Sequence, residues 1–138
     1  MNIKKTANLF INFTIKRLAE IFGLIILLSG VLLLISLITY SPEDPNFIFP
    51  ENTKIQNLFG FYGSFISDLF FQSVGLVSYL VSFTLIITGF NIVKTKEFFL
   101  IIENVFYAVL VSVFGTLFLN YFYPNNFTLY INGNGGYV

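Results

Sequence analysis

The chain contains no cysteine and no histidine. The first absence excludes disulfides, thiolate metal sites and thiol nucleophiles, and the second excludes imidazole acid–base chemistry. Charge is scarce as well. Charged residues make up 10% of the 138 positions, where an ordinary soluble domain carries about 25%. That is too little polarity to cover a water-facing surface. The formal net charge is zero, so there is no basic footprint for nucleic acid. The phosphate-loop pattern G-x-x-x-x-G-K-[ST] is missing, as are H-E-x-x-H and G-x-S-x-G. The closing Asn132-Gly133-Asn134-Gly135-Gly136 is glycine-rich but is followed by no Lys and no helix-opening Ser or Thr, so it reads as a turn. No catalytic constellation is visible. The chain is expected to be no enzyme and to hold no cofactor or metal.

What is present is apolar. Hydrophobic residues reach 56% and the mean hydropathy is +0.81. A helix needs about 20 apolar residues to cross a hydrocarbon core about 30 Å thick. Three uncharged runs reach that length, and the spans are placed at about 21–40, 69–93 and 98–123, the last with Glu103 near its start. The first run is longer than the apolar stretch of a signal peptide, and Tyr40-Ser41-Pro42-Glu43 after it offers no small-residue cleavage site. The fold class expected is an all-α integral membrane protein, a bundle of three transmembrane helices with a partly helical outer loop at 41–68. Lys4, Lys5, Lys16 and Arg17 precede the first span, and Lys94 and Lys96 separate the second from the third. Of the basic residues, Lys54 alone falls on the other side. The positive-inside rule then puts the N-terminus in the cytoplasm. Tyr40, Tyr121 and Tyr123 fall at outer interfaces, as aromatic-belt residues or as ordinary filler.

The arm at 1–17 has two readings. Lys5, Asn8, Asn12 and Lys16 share one helical face opposite Ile3, Ala7, Phe10 and Leu18, which suits an interfacial helix on an anionic leaflet, although Leu9 spoils the polar face. The other reading is a flexible basic tail that only sets topology.

The outer loop opens with Ser41-Pro42-Glu43-Asp44-Pro45-Asn46-Phe47. Pro42 stops the first helix and Pro45 holds Asp44 extended. Ser41 and Asp44 are placed to bond nearby backbone. Asn52 or Thr53 is expected to cap a second helix, because Ile55, Leu58, Phe59, Tyr62, Phe65, Ile66 and Leu69 recur at helical spacing. Asp68 and Glu103 lie near the ends of spans. Each either faces water or the bundle near an interface, or marks an ion or proton path. Lys94 and Lys96 are the nearest cations to Glu103. Small residues recur as packing stripes: Gly23 and Gly30 in span one, Gly75, Ser82 and Gly89 in span two, Ala108, Ser112 and Thr116 in span three. They serve helices of one chain or of several copies equally well.

Two segments together resemble the N-terminal membrane domain of the FtsK/SpoIIIE DNA translocases. Ser41-Pro42-Glu43-Asp44-Pro45 is similar to that family's S-P-x-D-P after the first helix. Asn57 to Phe70, with Gly60, Gly63 and Asp68, is similar to its N-x-x-G-x-x-G-A-x-x-A-D-x-L block, with Ser64 and Ser67 in place of alanines. Gly75 and Tyr79 match part of the F-G-x-x-A-Y stretch that follows, and Phe47 stands where the family often has Trp. The resemblance runs from about Arg17 to the end. Gly135-Gly136 looks like the glycine pair that opens the family's fourth helix, so the chain reads as a fragment truncated before that helix, with 124–138 an outer tail. It implies a multi-pass anchor in the bacterial inner membrane for a hexameric ATP-driven DNA pump at the division septum. The implied partners are the lipid bilayer, further copies of the chain and other septal membrane proteins. Motor and DNA-binding parts lie elsewhere, so no direct nucleic acid contact is expected here. A small transporter or channel subunit is the alternative from another class. Without a fourth helix the bundle is expected to be loose, with residues 120–138 poorly ordered.

Overall fold

The computed structural model describes residues 3–45, 54–123 and 135–136, with side chains from Ala7 onward. The described residues are helical and contain no strand. Helix α1 is Ile3–Ile38, α2 is Gly60–Val74, α3 is Ser78–Thr95 and α4 is Phe99–Phe122. One 3₁₀ turn, Gly75–Val77, joins α2 to α3. Three helical segments are long and apolar enough to cross a membrane: Ala7–Ile38, Gly60–Thr95 and Phe99–Phe122. The protein is therefore an all-α, multi-pass membrane protein.

Three boundaries differ from the sequence reading. The arm at 1–17 and the span at 21–40 are not separate elements, because α1 is one helix of 36 residues from Ile3. No Pro interrupts it, and its hydroxyls bond back to the carbonyl one turn earlier, as Ser29 does to Ile25 at 2.8 Å. The second segment begins at Gly60, ahead of the span placed at 69–93, and breaks at Gly75–Val77. Ile55, Leu58 and Phe59 precede it, and the proposed caps Asn52 and Thr53 lie outside the described residues. At the C-terminal end, Asn120 to Phe122 complete α4. Gly135 and Gly136 form a buried turn, while the rest of 124–138 lies outside the described residues.

α1 and α3 run antiparallel and form the densest seam. Glycine makes this possible. A Cβ on Gly89 would lie 2.4 Å from the Leu27 nitrogen and 2.6 Å from the Gly23 carbonyl oxygen, and one on Gly30 would lie 2.8 Å from the Ile86 nitrogen. Backbones that approach this closely gain dispersion contacts, the main attraction between helices when lipid is as apolar as the side chains. Toward the loop end of the bundle, Leu33, Leu37 and Phe71 form the buried core, with Tyr40, Phe70, Tyr79 and Leu85 packed around it. At the opposite, basic end, α3 stops at Lys96, which takes a left-handed conformation (φ 63°). The Lys96 N–H donates to the Ile92 carbonyl at 2.7 Å, closing the helix in the manner usual for glycine.

Candidate functional site

The polar residues of this apolar protein gather at the loop end, where α1, the loop and α2 meet. The Asp44 carboxylate is 2% exposed. Its two oxygens accept the N–H of Gln56 at 2.7 Å and of Asn57 at 2.9 Å, so it closes the loop on itself. Asn57 continues the chain of bonds. Its amide donates to the Ser36 carbonyl at 2.9 Å and the Thr39 carbonyl at 3.3 Å, two acceptors left open where α1 ends. Its side-chain oxygen accepts the Phe59 N–H at 3.1 Å, and its own carbonyl accepts the Gly60 N–H at 2.9 Å. These bonds take up the backbone of 56–60, which is why α2 starts at Gly60.

The motif residues each have a place in this clamp. Ser41 accepts the Asp44 N–H at its carbonyl and the Glu43 N–H at its hydroxyl. Pro42 is exposed on the turn, whereas Pro45 is buried, and its carbonyl accepts the Ser64 hydroxyl at 3.2 Å. Gly60 has φ 62°, a left-handed conformation that favours glycine. At Gly63 the constraint is space, since a Cβ there would overlap the Asn57 side chain. Asp68 lies one layer deeper and is buried. It accepts the Tyr40 hydroxyl at 3.0 Å and the Gln72 amide at 2.7 Å. Tyr79 ties α3 to the same end by donating to the Leu37 carbonyl at 3.3 Å. Phe71 sits between Tyr40 and Tyr79, with ring centroids 4.8 and 5.6 Å away. Gly75 (φ 57°) makes the turn that ends α2, and its N–H bonds the Phe71 carbonyl. A Cβ on Gly136 would lie 2.7 Å from the Gly75 nitrogen, so the Gly135–Gly136 turn is seated against this break.

Thr39, Gln72 and the Ser64–Pro45 bond belong to the clamp without standing out in the sequence, where Asn57 appears only as the first residue of the motif block. The available signal for Asn57 was its position three residues before Gly60 and six before Gly63.

The packing residues divide into two sets. Gly23, Gly30 and Gly89 lie in the α1–α3 seam, and Ser82 is fully buried. Ala108 and Ser112 face the bundle across a cavity of about 510 Å³, also lined by Leu69, Phe70, Val81 and Leu85. Gly75 leaves the stripe it forms in sequence with Ser82 and Gly89, because it turns the chain.

At the basic end, Glu20 pairs with Arg17 on its own helix and with Lys96 at 2.7 Å. Phe22 meets Phe98 edge-on at 5.9 Å. Lys96 is thereby drawn to Glu20 rather than to Glu103, which is exposed. Among the described residues no group of three or more acidic side chains is placed to hold a metal ion. The Asp44 and Asp68 carboxylates accept bonds from backbone, phenol and amide donors, an arrangement that fastens segments together.

The sequence matches the family described as the 4TM region of DNA translocase FtsK/SpoIIIE over residues 15–138. Among curated relatives, DNA translocase FtsK of Azospirillum brasilense is 27% identical over 112 residues, covering 80% of this chain and 17% of that protein. DNA translocase FtsK of Rickettsia bellii (strain RML369-C) is 29% identical over 121 residues, or 86% of this chain and 15% of that protein. DNA translocase FtsK of Rickettsia prowazekii (strain Madrid E) is 29% identical over 72 residues, or 52% of this chain and 10% of that protein. The chain thus spans less than a fifth of the length of these relatives. No solved structure matches it.

Proposed function

Because the chain belongs to the family of the 4TM region of the FtsK/SpoIIIE DNA translocases, we propose that it anchors and assembles such a translocase in the membrane during cell division and chromosome segregation. The observation that carries this reading is the match over residues 15–138, which falls on the helices long and apolar enough to cross a bilayer. The chain acts as a bilayer-embedded platform and performs no catalysis itself. ATP hydrolysis and DNA contact belong to a motor outside these residues. The platform lies in the bacterial inner membrane with its basic end, and so its N-terminus, in the cytoplasm, where Lys and Arg are retained. It gathers into a homo-oligomer, a hexamer in keeping with the resemblance, and the clamped loop meets other septal membrane proteins from outside.

The reading is tested by fluorescent fusions of the full chain in dividing bacteria. Enrichment at the septum, lost on Asp44→Ala while membrane insertion is kept, supports it. Uniform membrane fluorescence in the parent chain overturns it. The transporter alternative makes a different demand: Asp68→Asn abolishes a solute or ion flux in proteoliposomes and leaves membrane insertion intact.

A further inference from the structure

α1 is longer than one crossing needs. From Glu20 to Ile38 it rises about 27 Å at 1.5 Å per residue, which already approaches the thickness of the hydrocarbon core. The bundle ends at that level on the basic side, where Lys96 reaches Glu20. Ala19 is fully buried, and every residue from Ala7 to Leu18 is exposed. The helix nevertheless continues unbroken to Ile3.

This projecting part has two unlike sides. At helical spacing Phe10, Ile11, Phe13 and Leu18 occupy one broad side, and Phe10 is 73% exposed. Lys5, Asn8, Asn12 and Lys16 occupy the other, with the apolar Leu9 and Ile15 at its two edges. Among the described side chains, the polar groups of Thr14 and Arg17 on the apolar side are already partnered. The Thr14 hydroxyl donates to the Phe10 carbonyl at 3.0 Å. The Arg17 guanidinium lies 5.1 Å from the Phe13 ring centroid and pairs with Glu20. Every charge ahead of Glu20 is positive. A surface of this kind is costly in water and complementary to a layer that is apolar below and anionic above.

The geometry points to a lipid-binding arm: residues 3–18 of α1 dock in the headgroup layer of one leaflet, with Phe10 and Phe13 toward the acyl chains and the Lys5–Lys16 side toward anionic lipid phosphates. Residues 3–18 measure about 24 Å, several times the depth of one headgroup layer, so docking has α1 bend toward the membrane plane where it leaves the bundle near Ala19. This inference is independent of the anchoring function proposed above.

The absence of cysteine makes the test direct. Phe10→Cys and Asn12→Cys are made separately in the full chain and labelled with a nitroxide. Each is reconstituted in nanodiscs of phosphatidylcholine alone or rich in phosphatidylglycerol, at one copy per disc. Accessibility to oxygen and to a water-soluble nickel chelate is then compared. The arm predicts a probe at Phe10 that favours oxygen and a probe at Asn12 that favours nickel, with the contrast strongest in phosphatidylglycerol. At about 1 kcal/mol per cation near an anionic surface, Lys5→Gln with Lys16→Gln lowers the docked-to-free ratio on the order of thirtyfold. Equal nickel accessibility at both sites overturns the proposal by leaving the arm in water. Protection that appears only at several copies per disc, whatever the lipid, overturns it in favour of contact between arms of neighbouring copies. An unchanged ratio in the double Lys variant overturns the role given to anionic headgroups.

Discussion

α3 packs along α1 and α4 and meets them in different ways. Toward α1 it presents Gly89, and α1 answers with Gly23 and Gly30, so the two backbones nearly touch. Toward α4 it presents Val81 and Leu85 while α4 offers Ala108 and Ser112, and cavities of about 510 and 240 Å³ remain between them. α4 reaches the bundle closely near the break, where Thr116 is fully buried and Gly115 faces Val77. Glycine lets the backbones close up even against a branched neighbour, as Gly30 does against Ile86, whereas Ala108 and Ser112 border space that little in lipid drives closed.

The contrast can be broken in a definite order. Reversible unfolding in mixed SDS micelles measures it, followed by energy transfer between labels at the ends of α1 and α3. Gly89→Leu inserts a side chain where even a Cβ lies 2.4 Å from backbone, and is expected to cost about 3 kcal/mol or to abolish the seam outright. Asn57→Ala leaves the Ser36 carbonyl unpaired in a buried site and should cost about 2 kcal/mol. Tyr40→Phe removes the hydroxyl bonded to Asp68 but keeps the ring against Phe71, for a loss of about 1 kcal/mol. Ala108→Leu extends into the α4 cavity, and the expected change is between zero and a gain of about 1 kcal/mol. A large loss from Ala108→Leu, or none from Gly89→Leu, would remove the distinction between the two seams.

Much of this architecture was legible in the sequence for a simple reason. Lipid tolerates long uncharged runs and little else, so hydropathy alone locates α4 and the part of α1 inside the bundle. Spacing also brought out Gly23, Gly30 and Gly89, because small residues at multiples of a helical turn share a face. The start of α2 was not legible. Ile55, Leu58 and Phe59 keep the helical rhythm, yet Asp44 and Asn57 take up the backbone there. That decision is made by a partner 12 or 13 residues away, and local periodicity carries no trace of it. Gly75 misled for a related reason. It keeps the seven-residue interval to Ser82, but its positive φ turns the chain and takes it out of the packing face. The motif segments 41–45 and 57–68 suggested a site; what they build is a knot of bonds between the end of one helix and the beginning of the next.

α1 leaves that knot as an uninterrupted rod. Its last turn is gripped through the Ser36 and Thr39 carbonyls by Asn57, and its middle is keyed into α3 at Gly30 and Gly23. A helix held in this way is fixed at its end and at its middle, so only the stretch ahead of Ala19 is left to settle on its own.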